Sequence, residues 1–210
     1  MAVHMTKGAC VHCGKEYTRS GMAKHLAKCL IDRQHLQGKT GPCFHLQITA
    51  RFAPAYWLHL QADANTTLKS LDGFLRKIWL ECCGHMSLFH FDRQEIGMGR
   101  KLSSLLEPGM KIDYEYDMGD TTALQITVMG EYQGLLTPKK PVEILARNLA
   151  PMILCDACGN KPAVKICIEC QYDEAGWLCK ACAAKHECSE EGYFMPVVNS
   201  PRTGVCGYTG

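Results

Sequence analysis

Between residues 43 and 148 apolar and polar positions alternate in short runs, interrupted by one longer stretch of helical period. Cys43-Phe-His-Leu-Gln-Ile-Thr-Ala50 alternates like a strand and Tyr56-Trp-Leu-His-Leu-Gln61 does the same, so the two are expected to form paired β-strands. Leu68, Leu71, Leu75, Ile78 and Trp79 then recur with helical spacing, while Lys69, Asp72, Arg76 and Lys77 fall on the opposite face. Thr66 or Thr67 stands where such a helix needs its N-cap. Further strands are expected at Ser87–Phe91, Lys111–Tyr116, Leu124–Val128 and Val142–Arg147. Two strands, a helix and more strands predict an α+β domain: an antiparallel sheet with one main packed helix.

Outside this block the hydrophobic pattern is too thin to build a core. From residue 150 to 210 the apolar positions are Ile153, Leu154, Val164, Ile166, Trp177, Leu178 and few others. Segments this small do not fold on hydrophobic burial alone. They hold cysteines instead: the chain has 14, with none between Gly84 and Leu154. The opening Met-Ala-Val-His-Met-Thr-Lys lacks the apolar stretch of a signal peptide, and no run of about 18 apolar residues suggests a membrane span. The expected setting is the cytoplasm, where Cys-x-x-Cys pairs are read as metal ligands before disulfides.

Three modules follow. In residues 1–37, Cys10-Val-His-Cys13 and His25-Leu-Ala-Lys-Cys29 supply four ligands for tetrahedral zinc. His25 and Cys29 are four residues apart, on one face of a helix expected from about Arg19 to Lys28, and Tyr17 and Met22 provide a minimal core. The pattern resembles a C2H2 finger of ββα type with cysteine in place of the last histidine. Residues 43–148 form the α+β block. In residues 150–210, Cys155-x-x-Cys158, Cys167-x-x-Cys170 and Cys179-x-x-Cys182 begin at a period of twelve, followed by His186, Cys188 and Cys206. Each knuckle delivers two thiolates, so a cross-brace is expected, with the first and third knuckles on one zinc and the second sharing another zinc with the trailing ligands. Nine donors stand where eight are needed, and the spacing leaves open which of His186, Cys188 and Cys206 is the extra one. The module resembles a B-box. About three Zn²⁺ per chain are expected, each structural site contributing on the order of 10 kcal/mol of folding energy.

Within the central block, "TTLKSLDGFLRKIWLECCGHMSLF" and "IDYEYDMGDTTALQITVMGEY" resemble the plasmid pRiA4b ORF-three-like family, through His85, Phe89, Tyr114, Tyr116, Asp117, Gly119 and Asp120. The resemblance implies a β-grasp-like α+β domain and an association with plasmids and mobile elements. Thr121-Thr122 stands where many members carry a tryptophan.

Charge narrows the function classes. Residues 1–40 carry a net +5, residues 41–148 a net −1 and residues 149–210 a net −2. Only the first module has the basic footprint of phosphate binding; the last is better suited to a protein partner. Asp117 and Asp120, with His85 or His90 as proton carrier, could form a divalent-metal site of nuclease type. The competing reading is a hairpin turn, in which Gly119 takes a positive φ and the aspartates bond loop amides. Cys82-Cys83 is expected as buried packing, and His45 and His59 as sheet-surface or satisfied core histidines. The expected function is an adaptor built on closed zinc sites, not an enzyme, with nucleic-acid binding through residues 1–40 as its second component.

Overall fold

The computed structural model describes residues 6–32, 38–173, 175–188 and 193–210. The chain runs β1 (Lys7–Cys10), β2 (Glu16–Thr18), α1 (Arg19–Asp32), β3 (Thr40–Ala50), β4 (Trp57–Asp63), α2 (Leu68–Leu75), β5 (Ser87–Phe91), β6 (Gln94–Ile96), β7 (Lys111–Tyr116), β8 (Thr122–Leu135), β9 (Val142–Asn148), β10 (Lys165–Cys167), β11 (Trp177–Leu178), α3 (Lys180–Ala183) and β12 (Phe194–Pro196). Residues 33–37, where the first module was expected to end, lie outside the described residues, and so does the contribution of Arg33 to the basic arm.

The architecture is α+β, on a nine-stranded sheet in the order β2-β1-β9-β4-β3-β8-β7-β5-β6. Every pairing in it is antiparallel, including the expected one between β3 and β4. The helix α2 lies on the central face with Leu68, Leu71 and Leu75 buried against Leu46, Ile48, Leu60 and Ile126. Thr67 is its N-cap, accepting from the Ser70 amide at 3.3 Å. The helical run does not continue as a regular helix: Arg76–Leu80 widens into a π-turn that closes where the Glu81 amide donates to the Arg76 carbonyl. Ile78 and Trp79 therefore still pack inward, but the chain leaves the helix at Glu81 with Cys82 only at the margin of the core and Cys83 exposed.

The finger is continuous with this sheet. Strand β1 pairs with β9, Gly8 opposite Asn148. A Cβ on Gly8 would collide with the Arg147 carbonyl and lie 2.6 Å from the Trp57 ring, so only glycine lets the two strands approach. Met22, Leu26 and Leu30 of α1 pack on Trp57, Leu145 and Ala146 of the sheet, forming a second core. A separate three-stranded sheet, β11-β10-β12, frames the last module. Among the described residues no helix is long and apolar enough to cross a membrane.

His45 and His59 are a buried, hydrogen-bonded pair beneath the finger helix. His59 Nε2 lies 3.3 Å from the Arg19 carbonyl, which can only accept, so His59 carries its proton on Nε2. Its Nδ1 then accepts from His45 Nε2 at 2.8 Å. Burial holds His45 down to about 4. Burial, with the His45 charge second, holds His59 down to about 3. Both folded values lie below the ordinary histidine value of about 6.5, so the unfolded chain takes up protons that the folded one refuses. Stability from this pair is complete above about pH 6.5 and declines as the pH falls towards 4. Replacing His45 by phenylalanine is expected to remove about 2 kcal/mol of the loss between pH 7 and 5, measured as the difference between wild-type and His45→Phe urea unfolding at each pH. Metal ligands titrate alike in both chains and cancel in the difference.

Candidate metal centres

Thirteen of the 14 cysteines, all but Cys43, fall with three histidines into four groups whose donor atoms lie within 4.8 Å of one another. In a tetrahedral zinc site, Zn–S of about 2.3 Å and Zn–N of about 2.0 Å place sulfurs about 3.8 Å apart and sulfur and nitrogen about 3.5 Å apart. The observed separations can be judged against those edges.

The first group is Cys10, Cys13, His25 and Cys29. Cys10 ends β1, and the turn that follows returns the Gly14 amide to the Cys10 carbonyl at 2.8 Å, with Gly14 at a φ of 71°. His25 and Cys29 come from one face of α1. Cys10 and Cys29 sulfurs are 4.0 Å apart, and Cys13 Sγ is 3.3 Å from His25 Nε2. The Tyr17 ring stacks on His25 at 4.8 Å and fixes the imidazole plane. Burial, and then the charge of the Cys10 thiolate, push Cys29 up to about 11. Several thiolates in one buried group repel one another, and a shared cation removes that repulsion.

The last module has the expected cross-brace. Cys155, Cys158, Cys179 and Cys182 form one group, and Cys167, Cys170, His186 and Cys188 the other. In the first knuckle the Gly159 amide donates to the Cys155 carbonyl, with Gly159 at a φ of 66°. Cys179 starts α3, whose first turn presents Cys182. In the second group Cys188 lies 3.8 Å from Cys167 and 3.6 Å from Cys170. Although burial opposes the charge, backbone amides of Cys179, Cys158 and Ala157 hold Cys155 down to about 6, so part of the thiolate's stabilisation comes from the knuckle backbone.

Cys206 belongs to neither group of the cross-brace. It lies 3.6 Å from Cys83 Sγ and 3.2 Å from His85 Nε2, in a fourth group with Cys82. Of the three residues left open by the spacing, His186 and Cys188 are thus the ones placed with the second knuckle. Cys82-Cys83 was expected to be buried packing; Cys82 is only partly buried and Cys83 is exposed, because the π-turn ends just before them. No spacing rule could find this group, since Cys206 lies more than 120 residues from its other three members.

The Asp117-Met-Gly-Asp120 segment is a turn, but its left-handed residue is Asp117, at a φ of 66°, and not Gly119 as expected. Asp117 Oδ1 accepts from the Gly119 and Asp120 amides at 3.0 and 3.3 Å. Its Oδ2 accepts at 2.5 Å from Arg202, whose side chain is 0% exposed, and lies 3.5 Å from His85 Nε2. The hydrogen bond from Arg202, ahead of those from the two amides, holds the Asp117 carboxyl below the ordinary aspartate range. Arg202 also donates to the Asp120 carbonyl and to Thr122 Oγ1. Both Asp117 oxygens are therefore engaged in structure. His90, the other proposed proton carrier, is 3.5 Å from Glu115 and away from this turn.

No family model matches the chain, and no curated protein matches it either. Among solved structures it is similar to a protein of unknown function, MM3350, from Methanosarcina mazei Go1. That likeness has a TM-score of 0.40 at 16% identity and covers 50% of this chain and 67% of that one.

Two substitutions separate a structural turn from a catalytic one. Asp120→Asn keeps every bond seen here, since only the Asp120 backbone takes part, and is expected to change stability by less than about 1 kcal/mol. Arg202→Met leaves the Asp117 carboxylate without its partner and is expected to cost about 3 kcal/mol. Chemical denaturation of both variants beside the wild type, with zinc content held equal, measures the contrast.

Proposed function

We propose that this chain is a zinc-binding adaptor of a mobile element or its host, in which metal-fixed modules present interaction surfaces around the α+β domain. The observation that carries the reading is the donor chemistry: complete sets of four thiolate and imidazole groups at separations near the edges of a zinc tetrahedron. A site closed by four protein ligands leaves no coordination position for a reacting water, which favours a structural role. The plasmid pRiA4b ORF-three-like resemblance of the central block supplies the mobile-element setting.

A protein partner is supported by a cleft beside the Asp117–Asp120 turn. It is lined by Phe52, Ala53, Gly119, Tyr172, Pro201 and Val205, with Phe52 84% and Tyr172 80% exposed. Aromatic rings exposed to this degree on a concave surface are characteristic of interaction sites. The basic finger adds a second surface: Lys15, Lys24 and Lys28 are exposed, the last two on one side of α1. This suits contact with nucleic-acid phosphates.

Elemental analysis of the purified, reduced protein tests the zinc reading. Cys13→Ser, Cys158→Ser and Cys170→Ser are each expected to lower the zinc content by one equivalent. A wild-type protein with one equivalent or none rejects it.

Any nucleic-acid affinity is expected to depend on the finger, to disappear in Cys13→Ser, and to weaken steeply between low and high salt, as phosphate contacts do. Fluorescence anisotropy with single- and double-stranded probes over a salt series measures this; salt-insensitive binding that survives Cys13→Ser would place the surface elsewhere.

A further inference from the structure

The group formed by Cys82, Cys83, His85 and Cys206 joins two parts of the chain that the spacing of cysteines keeps separate. Cys82 and Cys83 follow the π-turn after α2; His85 comes after Gly84, whose φ of 81° turns the chain back on itself. The Glu81 carboxylate holds this turn by accepting from the Gly84 amide at 2.6 Å and from Tyr116 Oη at 3.2 Å. From the other side, Cys206 and Gly207 both adopt left-handed backbone, at φ 48° and 69°, which swings the Cys206 thiol towards Cys83. The sulfur–sulfur separations again sit near tetrahedral edges, 3.6 Å for Cys82–Cys83 and Cys83–Cys206, while His85 Nε2 lies closer than such an edge, 2.9 Å from Cys83 and 3.2 Å from Cys206. A disulfide would need sulfurs about 2.05 Å apart.

Charge fits as well. Three thiolates with one divalent cation leave a net −1, and Arg202 places Nη2 at 3.5 Å from Cys82 Sγ. The Arg202 guanidinium also stacks on Tyr116 at 4.9 Å from the ring centre, opposite in sequence to Arg76 on the same ring. Arg202 thus supplies a hydrogen-bond donor beside the thiolates, while its charge is paired with the Asp117 carboxylate.

One feature distinguishes this group from the other three. Each of those includes at least one fully buried cysteine: Cys10, Cys155 with Cys179, and Cys167. Here none is buried, and Cys83 and Cys206 are exposed.

We propose that Cys82, Cys83, His85 and Cys206 form a fourth zinc site, which clamps the C-terminal segment onto the central domain and exchanges its metal faster than the other sites. The clamp deepens the zinc-adaptor reading but has its own test. Native mass spectrometry of the full-length, zinc-loaded protein is expected to show four zinc ions, falling to three in Cys206→Ser and in Cys83→Ser and staying at four in Cys43→Ser. Cadmium-113 NMR is expected to give four resonances, with the same one missing from both ligand variants. Hydrogen exchange is expected to show loss of protection confined to residues near 203–208 in those variants. With a chromophoric chelator, one equivalent should leave the wild-type protein in a first, faster phase that both ligand variants lack. A wild-type count of three, unchanged by Cys206→Ser, or four equal release rates, overturns the clamp while leaving the other three sites standing. A wild-type count of one or zero rejects the zinc reading as a whole.

Discussion

Thiols brought within 4 Å of one another can be accommodated as thiols or around a shared cation, but not as bare thiolates. In the first group, burial and the neighbouring Cys10 charge already push Cys29 up to about 11. The rest of the architecture depends on how that conflict is relieved. Among the described residues the last module buries few apolar side chains, chiefly Ile166, Leu178 and Met195, with Phe194 and Ala183 packed partly against its cysteines. Without a cation its three short strands would have to hold together on less apolar burial than an independent fold requires. A metal ion held by the two cysteine groups would supply what is missing there, whereas the central sheet, with its own large core, has no such need.

The modules are nevertheless not beads on a string. The finger adds strand β1 to the edge offered by β9, and Trp57 of β4 packs its ring against both, its backbone amide bonded to Asn148 and its indole to Thr6. Asn148 in turn exchanges side-chain and backbone hydrogen bonds with Asn199 at 2.8 and 2.9 Å. Ser200 donates to the Trp79 carbonyl at the end of the π-turn, and Arg202 reaches Asp117. Residues 199–202 are consequently sewn into the central domain by buried polar contacts. Such contacts are costly to leave half-made, so they fix one arrangement of the tail more firmly than apolar packing would.

Much of this was legible in the sequence because it follows from local rules. Period-two alternation located β3, β4, β5, β7 and β9; Thr67 as cap located α2; and a twelve-residue period with two thiols per knuckle is enough to pair the first knuckle with the third. What escaped is non-local or depends on small backbone choices. The helical pattern at Ile78 and Trp79 is indistinguishable in sequence from a regular helix, yet the π-turn there decides where Cys82 and Cys83 point. The left-handed residue of the turn is Asp117 because its carboxylate bonds the two following amides, a compensation that makes a non-glycine acceptable at positive φ. The partners of Cys206 and of the Arg202 side chain lie 80 or more residues away, beyond any spacing argument.

The same tail connects metal chemistry to the exposed surface. Pro201 and Val205 line the cleft with Phe52 and Tyr172, while Arg202 and Cys206, their immediate neighbours in the chain, face the Asp117 turn and the Cys82-Cys83-His85 group. Cleft and metal group therefore share one short loop, with alternate residues turned to each. The Arg202 contacts to Asp117, Asp120 and Thr122, none of them a member of the metal group, hold its first half whether or not a cation is present. Its second half has no comparable buried anchor before Tyr208, and Cys206 is held in left-handed backbone that a cysteine does not adopt without compensation. Under the proposed clamp, metal coordination at Cys206 would offset that strain, and the Val205 edge of the cleft would be the part whose shape follows the occupancy of the site.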